Sequence, residues 1–277
     1  MGIKPTAKEI QQLLRQIKEK AGIDFPQEER KIQEIYNRKL KDIIESFNYE
    51  NFSRLLLDIS LNRNRILTEK IINALTVNET YFFRESYQFK TLINFAIPEI
   101  LKLRSKDTIR ILSAPCSTGE EVYSIIILLM EEENLVKKHD FMILGIDIDT
   151  EAIKKAQQGI YSERSVHKLN QSLINKYFKK LPNNLYQVKN SIRQAANFRI
   201  VNILNQKELF SLGKFDIIFS RNMLIYFDED TKRKVIESFY SILKDRGILF
   251  LGHAEKTNNS KLFRTIKFED TFFYQKI

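Results

Sequence analysis

Hydrophobic residues in the first 80 positions recur with the period of an α-helix. Thr6 and Glu9 have the spacing of a capping box, which marks a helix start. Apolar residues then follow at i, i+3, i+4 and i+7, so they share one helical face. The first predicted helix carries Ile10, Leu13, Leu14 and Ile17, and the second starts near Pro26 and carries apolar residues from Ile32 to Phe47. The third carries Leu55, Leu56 and Ile59. The fourth is capped by Thr68 and carries Ile71, Ile72 and Leu75. The pattern predicts an all-helical bundle of about four helices over residues 1–80.

The pattern changes at residue 108, where short β-rich runs alternate with helical periods. Such alternation is typical of right-handed βαβ units and a mostly parallel sheet. The carboxyl ends of such strands build the ligand site. The predicted strands are 108–114, 141–148, 198–203, 215–220 and 247–252, and the helices between them are about 119–133, 150–158 and 231–244. The pattern of residues 263–277 predicts a hairpin of two strands that closes the sheet.

One stretch is too long for a single crossover connection. About 40 residues separate the helix that ends near residue 158 from the strand at 198. Residues 169–180 have a helical pattern and 185–192 a strand pattern, so we expect a small inserted β-subdomain at about 169–197. The predicted division is a helical domain at 1–80, a linker and connecting helix at 81–107, and an α/β domain at 108–277.

The turn after the first strand, residues 113–121, is a poor phosphate site. It contains one glycine, Gly119, whereas the dinucleotide fingerprint needs three. Glu120 and Glu121 occupy the helix start and would repel a pyrophosphate, and no P-loop occurs elsewhere. NAD, ATP and GTP are therefore disfavoured, and the cationic, phosphate-free S-adenosylmethionine suits the turn better. Complementation of the helix dipole alone would also explain both glutamates.

The second strand ends in Gly145-Ile-Asp-Ile-Asp149. An acid at this strand end can accept hydrogen bonds from both ribose hydroxyls of a nucleoside. Asp147 is our candidate for that role. A solvated strand end is the alternative interpretation of the same residue.

Composition excludes several classes of protein. The chain has 277 residues, a formal net charge of +10 and one cysteine, so no intrachain disulfide or cysteine-based zinc site can form. The three histidines have no metal-ligand spacing. No run approaches ~20 apolar residues, and the N-terminal stretch lacks a signal peptide's apolar core. We expect a cytoplasmic protein without a metal, and its positive charge suggests an acidic partner.

Five motifs, in one order along the chain, resemble those of CheR-type chemotaxis protein methyltransferases. The resemblance covers nearly the whole sequence, and five motifs together are far more specific than one. They are NETYFFR at 78–84, LSAPCSTGEEVYS at 112–124, GIDID at 145–149 followed by KAQQGIY at 155–161, FDIIFSRNMLIYFD at 215–228, and LFLGHAE at 249–255. Two departures, Pro115 for the usual Gly or Ala and Ala254 for Ser, remove no side chain with an assigned role.

The resemblance implies a helical N-terminal domain joined to a doubly wound S-adenosylmethionine-dependent methyltransferase domain with an inserted β-subdomain. It implies methylation of specific chemoreceptor glutamates, with S-adenosylhomocysteine as the second product. It also implies the cofactor-binding residues Asn78, Thr80, Arg84, Glu121, Asp147, Asn202, Ile203, Arg221 and Asn222, and places Arg84 and Tyr226 at the catalytic centre. Without the resemblance, Arg84 and Tyr226 would pass equally well for ordinary surface or core residues.

The chemistry implied by the resemblance needs no general base. A glutamate with an ordinary pKa of about 4.3 is already a carboxylate nucleophile at pH 7. The site then has to align the reactants and exclude water. Arg84 can orient either the substrate carboxylate or that of the cofactor, and the sequence leaves both open.

Two other functions compete with this interpretation. An RNA methyltransferase is the main alternative, because the chain is basic. However, Arg221-Asn222-Met223-Leu224 stands where base-amine methyltransferases have an Asn/Asp-Pro-Pro-aromatic motif, and Cys116 lies in the cofactor turn rather than at a nucleophile position. A non-catalytic binding module is the second alternative, and the intact cofactor motifs speak against it.

The excess positive charge is concentrated in one segment. Residues 164–214 contain ten basic residues and a single acid, Glu208. We expect this segment to dock the cytoplasmic helical domain of methyl-accepting chemoreceptors, in a manner weakened by salt. A merely solvated basic face is the alternative. We expect a monomer that neither binds nucleic acid nor inserts into a membrane.

Overall fold

The N-terminal part of the chain is helical in the computed structural model, which describes residues 4–257 and 259–277. The first three residues of the stretch tested for a signal peptide lie outside this range. A π-helical segment, Tyr36–Leu40, joins the second and third helices into one continuous helix. The helices are α1 (Ala7–Ala21), α2 (Glu29–Ile35), α3 (Lys41–Glu45), α4 (Phe52–Ser60) and α5 (Arg65–Leu75).

The N-cap of α1 is the one predicted from the sequence, whereas the N-cap of α5 is a different residue. The capping box is present, because the Thr6 hydroxyl accepts from the Glu9 N–H while the Glu9 carboxylate accepts from the Thr6 N–H. Thr68 does not cap the last of the four predicted helices, which is α5. Asn64 does so by accepting from the Leu67 N–H, and Thr68 is buried one turn later with its hydroxyl donating to the Asn64 carbonyl. Asparagine is a strong N-cap residue, and an interior threonine satisfies its hydroxyl in this way.

A seven-stranded sheet forms the second half of the chain, in the order β6-β2-β1-β7-β8-β10-β9. The first five of these strands are parallel, and the last two form an antiparallel hairpin. The parallel sheet and the closing hairpin predicted from the sequence are both present. The strands are β1 (Ile109–Ser113), β2 (Phe141–Asp147), β6 (Ala196–Ile200), β7 (Phe215–Ser220), β8 (Leu243–Leu251), β9 (Phe263–Phe268) and β10 (Thr271–Lys276).

Helices cover both faces of this sheet, as a doubly wound fold requires. Alternate strand residues enter different cores: Ile111 and Ile217 pack on one face, and Leu112 and Ile218 on the other. A second π-helical segment, Leu92–Ala96, joins α6 to α7. The helices are α6 (Ser86–Thr91), α7 (Ile97–Leu103), α8 (Glu120–Glu131), α9 (Glu133–Val136), α10 (Thr150–Gln158), α14 (Gln206–Ser211) and α15 (Glu229–Ile242).

The insertion forms a separate antiparallel sheet of three strands, in the order β3-β5-β4. The strands are β3 (Ile160–Ser162), β4 (Phe178–Leu181) and β5 (Leu185–Val188), and the helices are α11 (Glu163–Val166), α12 (Gln171–Tyr177) and α13 (Asn190–Ala195). The sequence pattern missed the change from helix to strand at Phe178, and from strand to helix after Val188. Because β3 belongs to this sheet, we propose 160–195 for the inserted unit, and we retain the helical, linker and α/β division as a proposal.

Among the residues that the structure describes, no helix combines the length and apolar character needed to cross a membrane.

The turn after β1 packs closely on β2 at Gly145. A Cβ built on Gly145 would lie 2.7 Å from Val122 Cγ2 and 2.9 Å from the Cys116 Cβ and Sγ. This packing explains why both the strand and the turn need small residues here. Cys116 is small enough to fit against Gly145 at this contact.

We expect Gly145→Ala to destabilise the fold by about 1–3 kcal/mol, because the added methyl group overpacks a rigid contact between strand and turn. Urea unfolding should show a lower midpoint with an unchanged slope. An unchanged midpoint would mean that the turn moves aside at no cost.

Candidate functional site

Two adjoining pockets lie at the carboxyl ends of the parallel strands. The strand-end pocket is bounded by the ends of β1, β2 and β7, the chain after β6, and the N-terminal helical part. The linker pocket lies beside it, under residues 77–84, and the two pockets share Val77, Pro115, Ser117, Asn222 and Tyr226. Parallel strands bring these segments to one edge of the sheet, as the sequence pattern predicts.

All ten residues proposed from the sequence line one or both pockets. Four of them line the strand-end pocket, four line the linker pocket, and two line both. These are respectively Asn78, Asp147, Asn202 and Ile203; Thr80, Arg84, Glu121 and Arg221; and Asn222 and Tyr226.

Asp147 is a buried carboxylate at the end of β2. One oxygen accepts from the Ser117 N–H at 2.8 Å, and the other accepts from the Asp149 N–H at 2.9 Å. Burial raises the pKa of Asp147 to about 6, although these backbone hydrogen bonds act in the opposite direction. Asp147 is therefore not a solvated strand end, and its oxygens retain lone pairs for further donors.

Asp149 was not proposed from the sequence, yet it anchors the linker to the sheet. One carboxylate oxygen caps α10 by accepting from the Glu151 and Ala152 N–H groups. The other accepts from the Thr76 hydroxyl at 2.7 Å and from the Asn78 amide at 2.6 Å. An Asp directly before a helical period is a recognisable N-cap signal, but the bond to Asn78 spans 71 positions and has no local signature.

Arg221, directly after β7, is a buried cation that joins three segments. Its guanidinium pairs with the Glu121 carboxylate at 2.7 Å and with Glu85 at 3.3 Å, and it donates to the Arg84 carbonyl at 2.5 Å. It also lies over the Phe89 ring. Glu121 accepts from the Ser113 hydroxyl as well, so more than the helix dipole holds this glutamate.

The side chain of Arg84 itself is far less engaged. Its guanidinium donates one hydrogen bond, to the Glu79 carbonyl at 2.7 Å. In the described part of the chain, no carboxylate pairs with it. The linker pocket therefore contains a cation whose fork remains available to an incoming anion.

Asn222 and Tyr226 form the loop between the two pockets. Asn222 has a φ of +57°, in the left-handed region that asparagine tolerates better than most residues. Tyr226 ends a short 3₁₀ turn, Leu224–Tyr226, and is 36% exposed. Its hydroxyl makes no hydrogen bond within residues 4–257 and 259–277, so it is free to meet a ligand.

The N-terminal helices close one side of the strand-end pocket through Ala21 and Ile23. The Asn202 amide donates to the Lys20 carbonyl at 2.6 Å, and the Asp24 N–H donates to the Tyr226 carbonyl at 2.7 Å. The amide nitrogen of Asn202 is thus already used to hold α1 against the loop after β6. Apart from Asn78 and Thr80 at the end of the predicted helical domain, the sequence offered no sign that the N-terminal helices would contribute to the pocket wall.

Lys18 adds ion pairs to this contact. It lies 2.7 Å from both Asp24 and Asp228. Its hydrogen bonds to Asp228 and Asp24 raise the pKa of Lys18, and the hydrogen bond from Lys18 lowers the pKa of Asp228. All three side chains are about one-third to one-half exposed, so the pairs add little stability.

Three other polar residues of the quoted motifs are in environments unlike those of the proposed site residues. Glu120 is buried between Thr118 and Ser165, and burial raises its pKa. Burial also raises the pKa of the Cys116 thiol, so it is not a reactive thiolate. His253 is exposed. Among the described residues, no group of three or more His, Cys, Asp and Glu could hold a metal ion.

The lining of the strand-end pocket fits a nucleoside without phosphate. Its walls are largely apolar, with Ile146, Ile148, Val201 and Ile203 around the carboxylate of Asp147. Among the described residues, no lysine or arginine lines this pocket. A phosphate would therefore lack a cation here, whereas a base and a ribose have apolar walls and an acceptor.

Comparison with known proteins identifies the family. Residues 78–272 match the family described as CheR methyltransferase, SAM binding domain. The chain belongs to this family. The chain is similar to a chemotaxis protein methyltransferase 2 of Vibrio cholerae, 39% identical over 259 residues, which cover 93% of this chain and 89% of the relative.

Two further relatives match as well. A chemotaxis protein methyltransferase of Campylobacter jejuni is 37% identical over 276 residues, covering 99% of this chain and 98% of the relative. One from Borreliella burgdorferi is 33% identical, covering 94% and 92%. The chain is thus an S-adenosylmethionine-dependent methyltransferase of the chemotaxis type, and the RNA methyltransferase alternative is not favoured.

The raised pKa of Asp147 predicts that cofactor binding depends on pH. Below about 6 the carboxyl group is protonated and loses acceptor capacity for ribose hydroxyls, so affinity for S-adenosylhomocysteine should fall as the pH drops through about 6. The dissociation constant should rise by up to about tenfold per pH unit below that point. Calorimetric titrations between pH 5 and 8 measure it.

Asp147→Asn should bind more weakly at pH 7.5 and lose this pH dependence. His253→Gln is the control, because His253 is exposed and lines neither pocket. If His253→Gln abolished the pH dependence instead, Asp147 would not be its source.

Proposed function

We propose that this enzyme transfers the methyl group of S-adenosylmethionine to side-chain carboxylates of specific glutamates on bacterial chemoreceptors, forming methyl esters. The observation that carries this proposal is the linker pocket, where, among the described residues, Arg84 has no carboxylate partner and the Tyr226 hydroxyl has no hydrogen-bond partner. The names of the chemotaxis relatives support it. A receptor glutamate would supply the carboxylate partner for Arg84.

The cofactor would lie across both pockets. Asp147 would accept from the ribose, while Asn202 and Ile203 would border the adenine. Asn78, Thr80 and Asn222 would contact it from the linker and the loop after β7, and Glu121 would meet its ammonium group. When bound, S-adenosylmethionine supplies a methyl group on a positively charged sulfur.

Arg221 takes a different place in this proposal from the one that the resemblance implied. Its guanidinium is already committed to Glu121, Glu85 and the Arg84 carbonyl, and its side chain is only 3% exposed. We therefore propose that Arg221 orients Glu121 and the linker rather than binding the cofactor through its charge.

The reaction then depends on alignment rather than on proton transfer. A glutamate is ionised at pH 7 and needs no base, and in the described part of the chain neither histidine nor lysine lines the linker pocket. Arg84 and Tyr226 would hold the attacking carboxylate, and closure of the pocket by the substrate would exclude water. Pairing with Arg84 must stay moderate, because too strong a bond would stabilise the ground state.

Methyl transfer to protein carboxylates is directly testable. Radiolabelled S-adenosylmethionine incubated with receptor-containing membranes should give base-labile label on protein. Tyr226→Phe should lower kcat by about 10- to 100-fold, the worth of one hydrogen bond to a charged group, with little change in S-adenosylhomocysteine affinity. Label on RNA, or no transfer despite cofactor binding, would contradict the proposal.

The inserted sheet offers a basic surface for the acidic receptor. Lys179 and Lys180 are exposed on β4, which is an edge strand. Arg193 is less suitable, because it packs over Gly159 and donates to the Gln158 carbonyl. We propose that the enzyme acts as a cytoplasmic monomer and meets the helical cytoplasmic domain of the receptor partly through this surface.

Replacing Lys179 and Lys180 by glutamate should weaken receptor association at low salt. At 0.5 M salt the variant and the wild type should differ much less, because screening removes the attraction. Sedimentation with receptor-containing membranes measures the association. The matched control reverses Arg264 and Lys267, exposed cations on β9, the edge strand of the large sheet. Equal losses in both variants would indicate a net-charge effect and contradict a local docking surface.

A further inference from the structure

Glu255 is a buried carboxylate just beyond the end of β8, and its side chain is surrounded by peptide N–H groups. It is 6% exposed. Its Oε2 accepts from the Gly252 N–H at 2.8 Å and from the Asn222 N–H at 2.9 Å, and its Oε1 accepts from the Ile225 N–H at 3.4 Å. No lysine or arginine pairs with it within residues 4–257 and 259–277.

These three hydrogen bonds join two segments that are distant in sequence. Gly252 continues β8, whereas Asn222 and Ile225 belong to the loop after β7. The approach is close, because a Cβ on Gly252 would lie 2.7 Å from Glu255 Oε2 and 2.8 Å from the Asn222 nitrogen. A charged acceptor forms strong bonds with peptide donors that would otherwise be unsatisfied.

The two oxygens of Glu255 act on different parts of the site. Oε2 holds the backbone of Asn222, which has a positive φ and borders both pockets. Oε1 holds Ile225 in the 3₁₀ turn, whose next residue is Tyr226. The first N–H groups of such a turn have no partner within it, so Glu255 supplies one.

We propose that Glu255 is a positioning residue for methyl transfer, which sets the cofactor-side backbone through one oxygen and the Tyr226 turn through the other. Glu255 lines neither pocket, so it acts through Asn222 and Tyr226 rather than on the reactants. The inference rests on the proposed function, which gives Tyr226 its role beside the acceptor carboxylate.

Two substitutions of Glu255 distinguish the roles of its two carboxylate oxygens. In Glu255→Gln the amide oxygen can still accept from the Gly252 and Asn222 N–H groups. The amide nitrogen then faces the Ile225 N–H, and because both groups are donors, that hydrogen bond is lost. We expect kcat to fall by about 10- to 100-fold, while the dissociation constant of S-adenosylhomocysteine changes less than about threefold. Glu255→Ala removes both acceptors, and we expect it to weaken cofactor binding as well as kcat.

Hydrogen exchange provides a readout that does not depend on the substrate. The Ile225 amide should exchange faster in Glu255→Gln than in the wild type, while the Asn222 amide keeps its protection. Asp216→Asn is the matched control. Asp216 is a fully buried carboxylate in β7, near the opposite end of the strand, paired with Arg104 and Lys244. It should lower stability without the split between kcat and binding.

The outcomes are decisive. A Glu255→Gln variant with unchanged kcat, or with kcat and affinity reduced in parallel as in Asp216→Asn, would overturn the inference. A wild type that binds S-adenosylhomocysteine but methylates no receptor would overturn the proposed function. In that case, selective exchange at Ile225 would still support Glu255 as the residue that positions the turn.

Discussion

The site depends above all on the buried guanidinium of Arg221. It holds the first turn of α8 through Glu121, and it holds the linker through Glu85 and the Arg84 carbonyl. The Phe83 N–H adds one hydrogen bond between the linker and α8, to the Ser124 hydroxyl at 2.9 Å. Removing a charge from water is costly, so such a group persists only when its partners are well placed. Arg221 therefore fixes the linker pocket before any ligand enters it.

Buried carboxylates complete the same framework from the other side. Asp147 accepts from Ser117 and Asp149, Asp149 from the start of α10 and from the linker, and Glu255 from the loop after β7. Each gathers backbone N–H groups at the carboxyl end of the sheet, where loops would otherwise leave donors unpaired. The arrangement yields a site that is rigid and rich in acceptors. Such a site suits a cationic, phosphate-free cofactor and a reaction that depends on alignment.

Most of the fold could be predicted from periodicity, because helices and strands bury one face at fixed spacing. The five parallel strands, the terminal hairpin and the four N-terminal helices follow from that rule. Errors arose where local signals competed. Thr68 looked like a cap although Asn64 performs that role, and the helix predicted to run through Phe178 changes to a strand there because pairing with β5 outweighs local propensity.

The sequence by itself determined the order of elements, the strand-end position of the two pockets and, through its motifs, ten of the residues that line them. The tertiary structure alone decided how those residues are used. Arg221 is paired with Glu121, whereas Arg84 has no carboxylate partner among the described residues. Asp149 and Glu255 hold loops from distant parts of the chain, and α1 closes one side of the strand-end pocket. The physical reason is that these bonds join residues tens to hundreds of positions apart, and neither periodicity nor spacing records such contacts.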